Sequence, residues 1–153
     1  RSPAGRYSGM NMNKDPRREE LVHYWLRKAE ESLESARSEL EAGRLSFAVN
    51  RLYYVLFYLV TAALSARGKK LGKHSAVRAA FHKEFVRTGE VDKPYGRLYD
   101  ELFHTRHQAD YLPLTEFDET IVRQQLQDVE RFLTEFSLKI RRTIISVNGY
   151  EKS

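Results

Sequence analysis

The stretch Ala48-Val49-Asn50-Arg51-Leu52-Tyr53-Tyr54-Val55-Leu56-Phe57-Tyr58-Leu59-Val60 decides the fold. From Tyr53 to Val60 it is apolar on every side, a pattern that neither a surface helix nor a half-exposed strand produces. The spacing predicts a helix from about Ser46 to Arg67, ended by Gly68, and such a helix has to be surrounded by others. The run Leu52 to Leu64, broken only by Thr61, is 13 residues long. A bilayer span needs about 20, so the expectation is a core helix and no membrane.

Outward from this helix the chain repeats one theme. Upstream, Asp15-Pro16 supplies an N-cap followed by a residue suited to the first helical turn. Leu21, Trp25, Ala29, Leu33, Ala36 and Leu40 then follow a 3–4 spacing, opposite Glu30, Glu31, Glu34 and Glu41. Gly43 is placed to end that helix. Downstream, a short helix is expected over Ser75–Arg87 with Ser75 as its N-cap. Another follows from Asp92 until Leu112-Pro113 releases the chain at about Asp110, and a long one starts near Asp118. No alternating strand pattern and no internal repeat occurs. The fold class is therefore all-α, an antiparallel four- to five-helix up-down bundle. Residues 1–11 read as an expression remnant or disordered leader, 12–145 as the bundle and 146–153 as a frayed tail.

Composition narrows the chemistry. With 153 residues the chain has the size of one domain. It contains no Cys, which excludes disulfides, thiolate metal sites and cysteine nucleophiles and is compatible with a cytoplasmic address. The formal net charge is +5, a mild bias toward phosphate-bearing partners. Gly-x-Ser-x-Gly elbows, zincin histidine pairs and dinucleotide fingerprints are all absent, and no cofactor is implied.

Four features remain as candidate sites. Gly68-Lys69-Lys70-Leu71-Gly72-Lys73-His74-Ser75 imitates a phosphate-binding loop, but it leaves a helix where such a loop leaves a strand. It nonetheless opens a basic window, Arg67 to Arg87, with seven cationic residues against Glu84 alone. Within it Lys70, Lys73, His74 and Arg78 are the phosphate-binding candidates. Arg51 heads an otherwise apolar helix and must find solvent, a carboxylate or a phosphate. Asp100, His104 and His107 stand at i, i+4 and i+7, a weak metal-ligand pattern that does not lead to a metal assignment. Tyr53, Tyr54, Phe57 and Tyr58 read as core and interface more than as a base-stacking surface.

Several segments in order resemble a known family. They are Trp25-Leu26-x-Lys28-Ala29, Ala48 to Phe57, Lys73-His74-Ser75-Ala76-Val77, Phe85-Val86-x-Thr88-Gly89 and Arg106-x-x-Ala109-Asp110-Tyr111. Together they are similar to HEPN-domain proteins over about Arg18 to Arg142. That resemblance implies a homodimeric helical bundle that binds nucleotide or RNA. It also implies a minimal nucleotidyltransferase as partner in a toxin–antitoxin-like system. Other members of the family are metal-independent ribonucleases with an Arg-x(4–6)-His motif in the dimer cleft. Here Arg106 is followed at the matching position by Tyr111 instead of His, and a Tyr is a poor base near neutral pH. Arg106 and Tyr111, with His107, are thus the catalytic candidates, and Asp110, four residues past Arg106, joins the nucleotide-binding set or neutralises Arg106. The leading expectation is a binding module. The alternative is a ribonuclease toxin using Arg106 with His107 or His74, and the third is a structural dimerisation module.

Overall fold

A computed structural model describes residues 16–111 and 116–152, with side chains for 17–107 and 116–146. Among them are five helices and no strand. They are α1 (Pro16–Glu41), α2 (Leu45–Ala66), α3 (His74–Phe81), α4 (Lys93–Tyr111) and α5 (Glu119–Lys152). The expected Asp15 cap, the leader, and the side chains of Asp110 and Tyr111 lie outside the described residues.

α1 and α2 form an antiparallel hairpin. Ser32 Oγ donates to the Arg51 carbonyl at 2.7 Å and Arg18 Nε to the Ser65 carbonyl at 3.1 Å. The pairing therefore runs in opposite directions along the two helices. Gly43, at φ +76°, makes the tight turn between them. The N–H groups of Gly43 and Arg44 return to the carbonyls of Leu40 and Glu39, a closure that needs the left-handed backbone glycine tolerates. Gly68 ends α2 in the same way. α5 runs antiparallel to α1, through Arg37–Glu130 and Arg141–Glu30, and to α4, through Gln125–Glu101 and Tyr95–Glu135. The four long helices thus alternate in direction, and α3 is inserted between α2 and α4.

α2 sits in the middle, as its composition requires. Fourteen of its 22 residues are buried, Leu52, Tyr53, Val55 and Leu59 completely. The helix matches the expected Ser46–Arg67 span to within a residue at each end, and by length and composition alone it is long and apolar enough to cross a membrane. The other helices, however, cover most of its surface. A second aromatic cluster, Phe81, Phe85, Phe132 and Phe136, fills the end of the bundle where α3 meets α5.

Three boundaries differ from expectation. α3 starts at His74, after an extended Lys73 and without a side-chain cap, so Ser75 is not its N-cap. After Phe81 the helix widens into a π-turn over His82–Val86, with the Arg87 N–H bonded to the His82 carbonyl. α5 remains helical to Lys152, past Ile145 where the fraying was expected to start. Its start is capped by Asp118, whose Oδ1 accepts from the N–H groups of Thr120 and Ile121.

Phe81 has no exposed surface and touches the rings of Phe85, Tyr99, Phe132 and Phe136. Replacing it with Ala leaves a cavity the bundle cannot close, and should cost about 3–5 kcal/mol in chemical denaturation.

Candidate phosphate-binding cleft

α2, α3 and α4 bring three of the expected site residues together over an aromatic floor. The Arg106 guanidinium lies 4.6 Å from the centre of the Tyr53 ring and 5.7 Å from that of Tyr54. Its Nη1 is 3.5 Å from the Tyr54 hydroxyl. The Arg78 guanidinium lies 4.3 Å from the centre of the Phe103 ring, and Phe103 in turn borders Tyr53. Both arginines have a buried Nε without a hydrogen-bond partner among the described residues. Stacking over an electron-rich ring stabilises such a cation where water cannot reach it.

His74 completes the group. Its ring stacks on Phe57 at 4.2 Å and on Tyr53 at 5.7 Å, and its Nδ1 is 2.8 Å from the Tyr53 hydroxyl. Burial, and next the positive charge of Arg106, hold its pKa below the ordinary imidazole value. Burial pushes the Tyr53 hydroxyl up to about 12, against the opposing pull of Arg106. The phenol therefore keeps its proton at neutral pH, and a neutral imidazole is favoured beside it.

Arg78 is held from the other side. Asp100 Oδ1 accepts from Arg78 Nη1 and from His82 Nε2, both at 2.8 Å. Burial alone would raise the Asp100 pKa, but the hydrogen bonds from Arg78 and His82 outweigh it and the net shift is downward. Gly96, one turn before Asp100, lets α4 approach the π-turn closely: a Cβ there would stand 3.1 Å from His82 Cε1. Asp100 is thus committed to Arg78 and His82 and does not form a ligand set with His104 and His107. Among the described residues no group of His, Asp or Glu is placed to hold a metal ion.

The other sequence candidates do not converge here. Lys73 and Arg51 are exposed, Arg51 making a 3.4 Å contact with Asn50 Oδ1. Lys70 lines a groove of about 320 Å³ with Leu21, Trp25 and Leu71, and that groove shares no lining residue with the cleft. His107 is exposed on α4. α4 ends at Tyr111, within a residue of the expected release, so positions 106 and 111 are both on the helix, turned about 140° apart around its axis, and do not converge. The basic window is also less charged than its residue count. Arg67 pairs with Glu84 and Glu90, Lys69 with Glu84, and Arg78 with Asp100. The fold supplies Glu90 and Asp100 from outside the window, which a count along the chain cannot see. Sequence reasoning likewise missed His82, Tyr99 and Phe103. The Asp100 spacing was a signal, but it pointed along its own helix instead of across to α3.

Comparison with known proteins bears on the family of the chain. The family model described as HEPN domain matches residues 22–140. A UPF0332 protein of Thermotoga maritima is 46% identical over 116 residues, 76% of this chain and 88% of that one. Two chains of Methanocaldococcus jannaschii, each named "Putative toxin", are 33% and 32% identical over 123 residues. They cover 80% and 78% of this chain, and 81% and 90% of their own lengths.

The Asp100 pairing has a pH signature. A carboxylate whose folded pKa is depressed contributes stability above its unfolded pKa of about 3.9. That contribution is lost as the pH falls through the lower folded value. Denaturation of wild type and Asp100→Asn as a function of pH should show the wild-type advantage at neutral pH shrinking to nothing in strong acid.

Proposed function

The chain belongs to the HEPN-domain family, and from that membership and the cleft's geometry we propose a dimeric, cytoplasmic module that binds nucleotide or RNA. By the same resemblance its partner is a minimal nucleotidyltransferase in a toxin–antitoxin-like system, a reading in keeping with the name carried by the archaeal relatives. The observation that carries the binding role is the pair of guanidiniums, Arg106 on Tyr53 and Arg78 on Phe103, beside the His74 ring. Flat cations on aromatic rings suit phosphate oxygens, because the face is occupied by the ring while N–H groups remain along the edge. Tyr54, half-buried next to Arg106, adds a surface on which a base can stack. Lys70, Lys73 and Arg51 then belong to the approach of the nucleic acid and not to the cleft.

Support for the dimer comes from the side of α2 that the bundle leaves open. Phe47, Arg51, Tyr54, Tyr58 and Thr61 follow one another at intervals of four and three, and all are exposed or half-buried. Phe47 is 57% exposed. This is the spacing of a helix seam that packs against another helix, and it runs past Arg106, so a second copy on it would border the cleft.

A second reading, a metal-independent ribonuclease, is favoured by the nearness of His74 to Arg106. It would need His74 to take or give a proton at the 2′-hydroxyl or the leaving oxygen.

Light scattering should give a dimer, and Tyr58→Glu should give a helical monomer. Arg106→Ala should weaken binding of a labelled single-stranded RNA about tenfold or more, the scale of one lost charge-assisted contact. Charge reversal at Lys70 and Lys73 should flatten the salt dependence. A wild-type dimer that binds no RNA would leave a dimerisation module, and RNA binding unchanged in Arg106→Ala would place the site elsewhere. RNA cleavage that disappears in His74→Ala would establish the ribonuclease.

A further inference from the structure

Two buried hydroxyls and the half-buried His74 ring connect the core to the cleft. Tyr99 has no exposed surface, and its hydroxyl is buried without a formed hydrogen bond among the described residues. The Tyr99 and Tyr53 rings meet edge to face at 6.0 Å, and the Tyr53 hydroxyl is among the polar groups whose field acts on the Tyr99 hydroxyl. A buried hydroxyl left without a partner is costly, which favours turning the Tyr99 proton toward the Tyr53 oxygen. The single Tyr53 proton then goes to the other neighbour of that oxygen, His74 Nδ1, at 2.8 Å. An imidazole that accepts at Nδ1 while neutral carries its proton on Nε2. The Arg106 cation beside it disfavours a second proton on the ring.

We infer that Tyr99 and Tyr53 are positioning residues, a hydrogen-bond relay that fixes His74 as the Nε2–H tautomer and makes it a neutral donor to a phosphate oxygen. The donor role rests on the reading of the cleft as a phosphate site; the tautomer does not. With Nδ1 occupied and Nε2 protonated, His74 has no lone pair with which to take a 2′-hydroxyl proton. The relay therefore favours binding over cleavage. It also lets the cleft hold an anion through three donors while only its two arginines are charged.

Nitrogen-15 NMR of the histidine rings in the full chain tests this, with His74→Gln assigning the His74 signals among the five histidines. At neutral pH, Nδ1 should resonate as an acceptor nitrogen and Nε2 as a protonated one. Tyr53→Phe should collapse this preference to a mixture and raise the His74 pKa, since the lost hydrogen bond favoured the neutral ring. Tyr99→Phe should shift it in the same direction by less. An Nδ1–H tautomer or an imidazolium in the wild type would overturn the relay, and this spectrum decides the matter even if Tyr53→Phe does not fold. An unchanged tautomer in a folded Tyr53→Phe would overturn it too. Adding single-stranded RNA should move the Nε2 resonance. If RNA that binds the protein leaves Nε2 unmoved, the donor role fails while the tautomer stands. If RNA does not bind at all, the proposed function fails with it.

Discussion

A tyrosine hydroxyl cannot be enclosed in the most apolar helix of a bundle without a partner, and the bond from Tyr53 to His74 answers that constraint. Tyr53 has no exposed surface, so its ring is fixed by packing and its hydroxyl makes its formed hydrogen bond at one place. That place is the first residue of α3. The same bond joins the chain after the Gly68 turn to the middle of α2, which sets where α3 starts and where Arg78, one turn later, emerges. Arg106 then settles against the same Tyr53 ring. Core and cleft share one side chain, so the site is rigid for the same reason that the bundle is stable.

The helices were legible because each carries its own local evidence. α2 is apolar on all sides, α1 has a single stripe, and Gly43 and Gly68 stop helices with a backbone geometry few other residues adopt. The all-α class followed from these features and the family resemblance from the order of the quoted segments, and the HEPN match over residues 22–140 agrees with that resemblance. The start of α3 was misread because Ser75 is a good cap in isolation, whereas His74 is drawn into the helix by its bond to Tyr53. That is tertiary structure overriding a local preference.

The cleft was legible only in part. Arg106, His74 and Arg78 were all among the candidates, yet they stand on two helices and nothing along the chain says that they meet. The interactions that unite them are made by Tyr53, Phe103 and Asp100, residues with an adequate bland reading as core or surface. Basic residues were overcounted as binding groups for a related reason. Charge is summed along the chain, but it is neutralised across it, as Glu84 and Glu90 do for Arg67 and Lys69.

The placement of the two guanidiniums has a consequence for the entropy of association. A free arginine on a surface loses much of its rotamer freedom when a ligand fixes it, at a cost of about 0.5–1.5 kcal/mol per side chain. Arg106 on Tyr53 and Arg78 on Phe103 have surrendered that freedom during folding, and Asp100 holds the second of them in register. An anion arriving at this cleft meets cations that are already ordered, so the conformational cost of capture is charged to the fold and not to the complex.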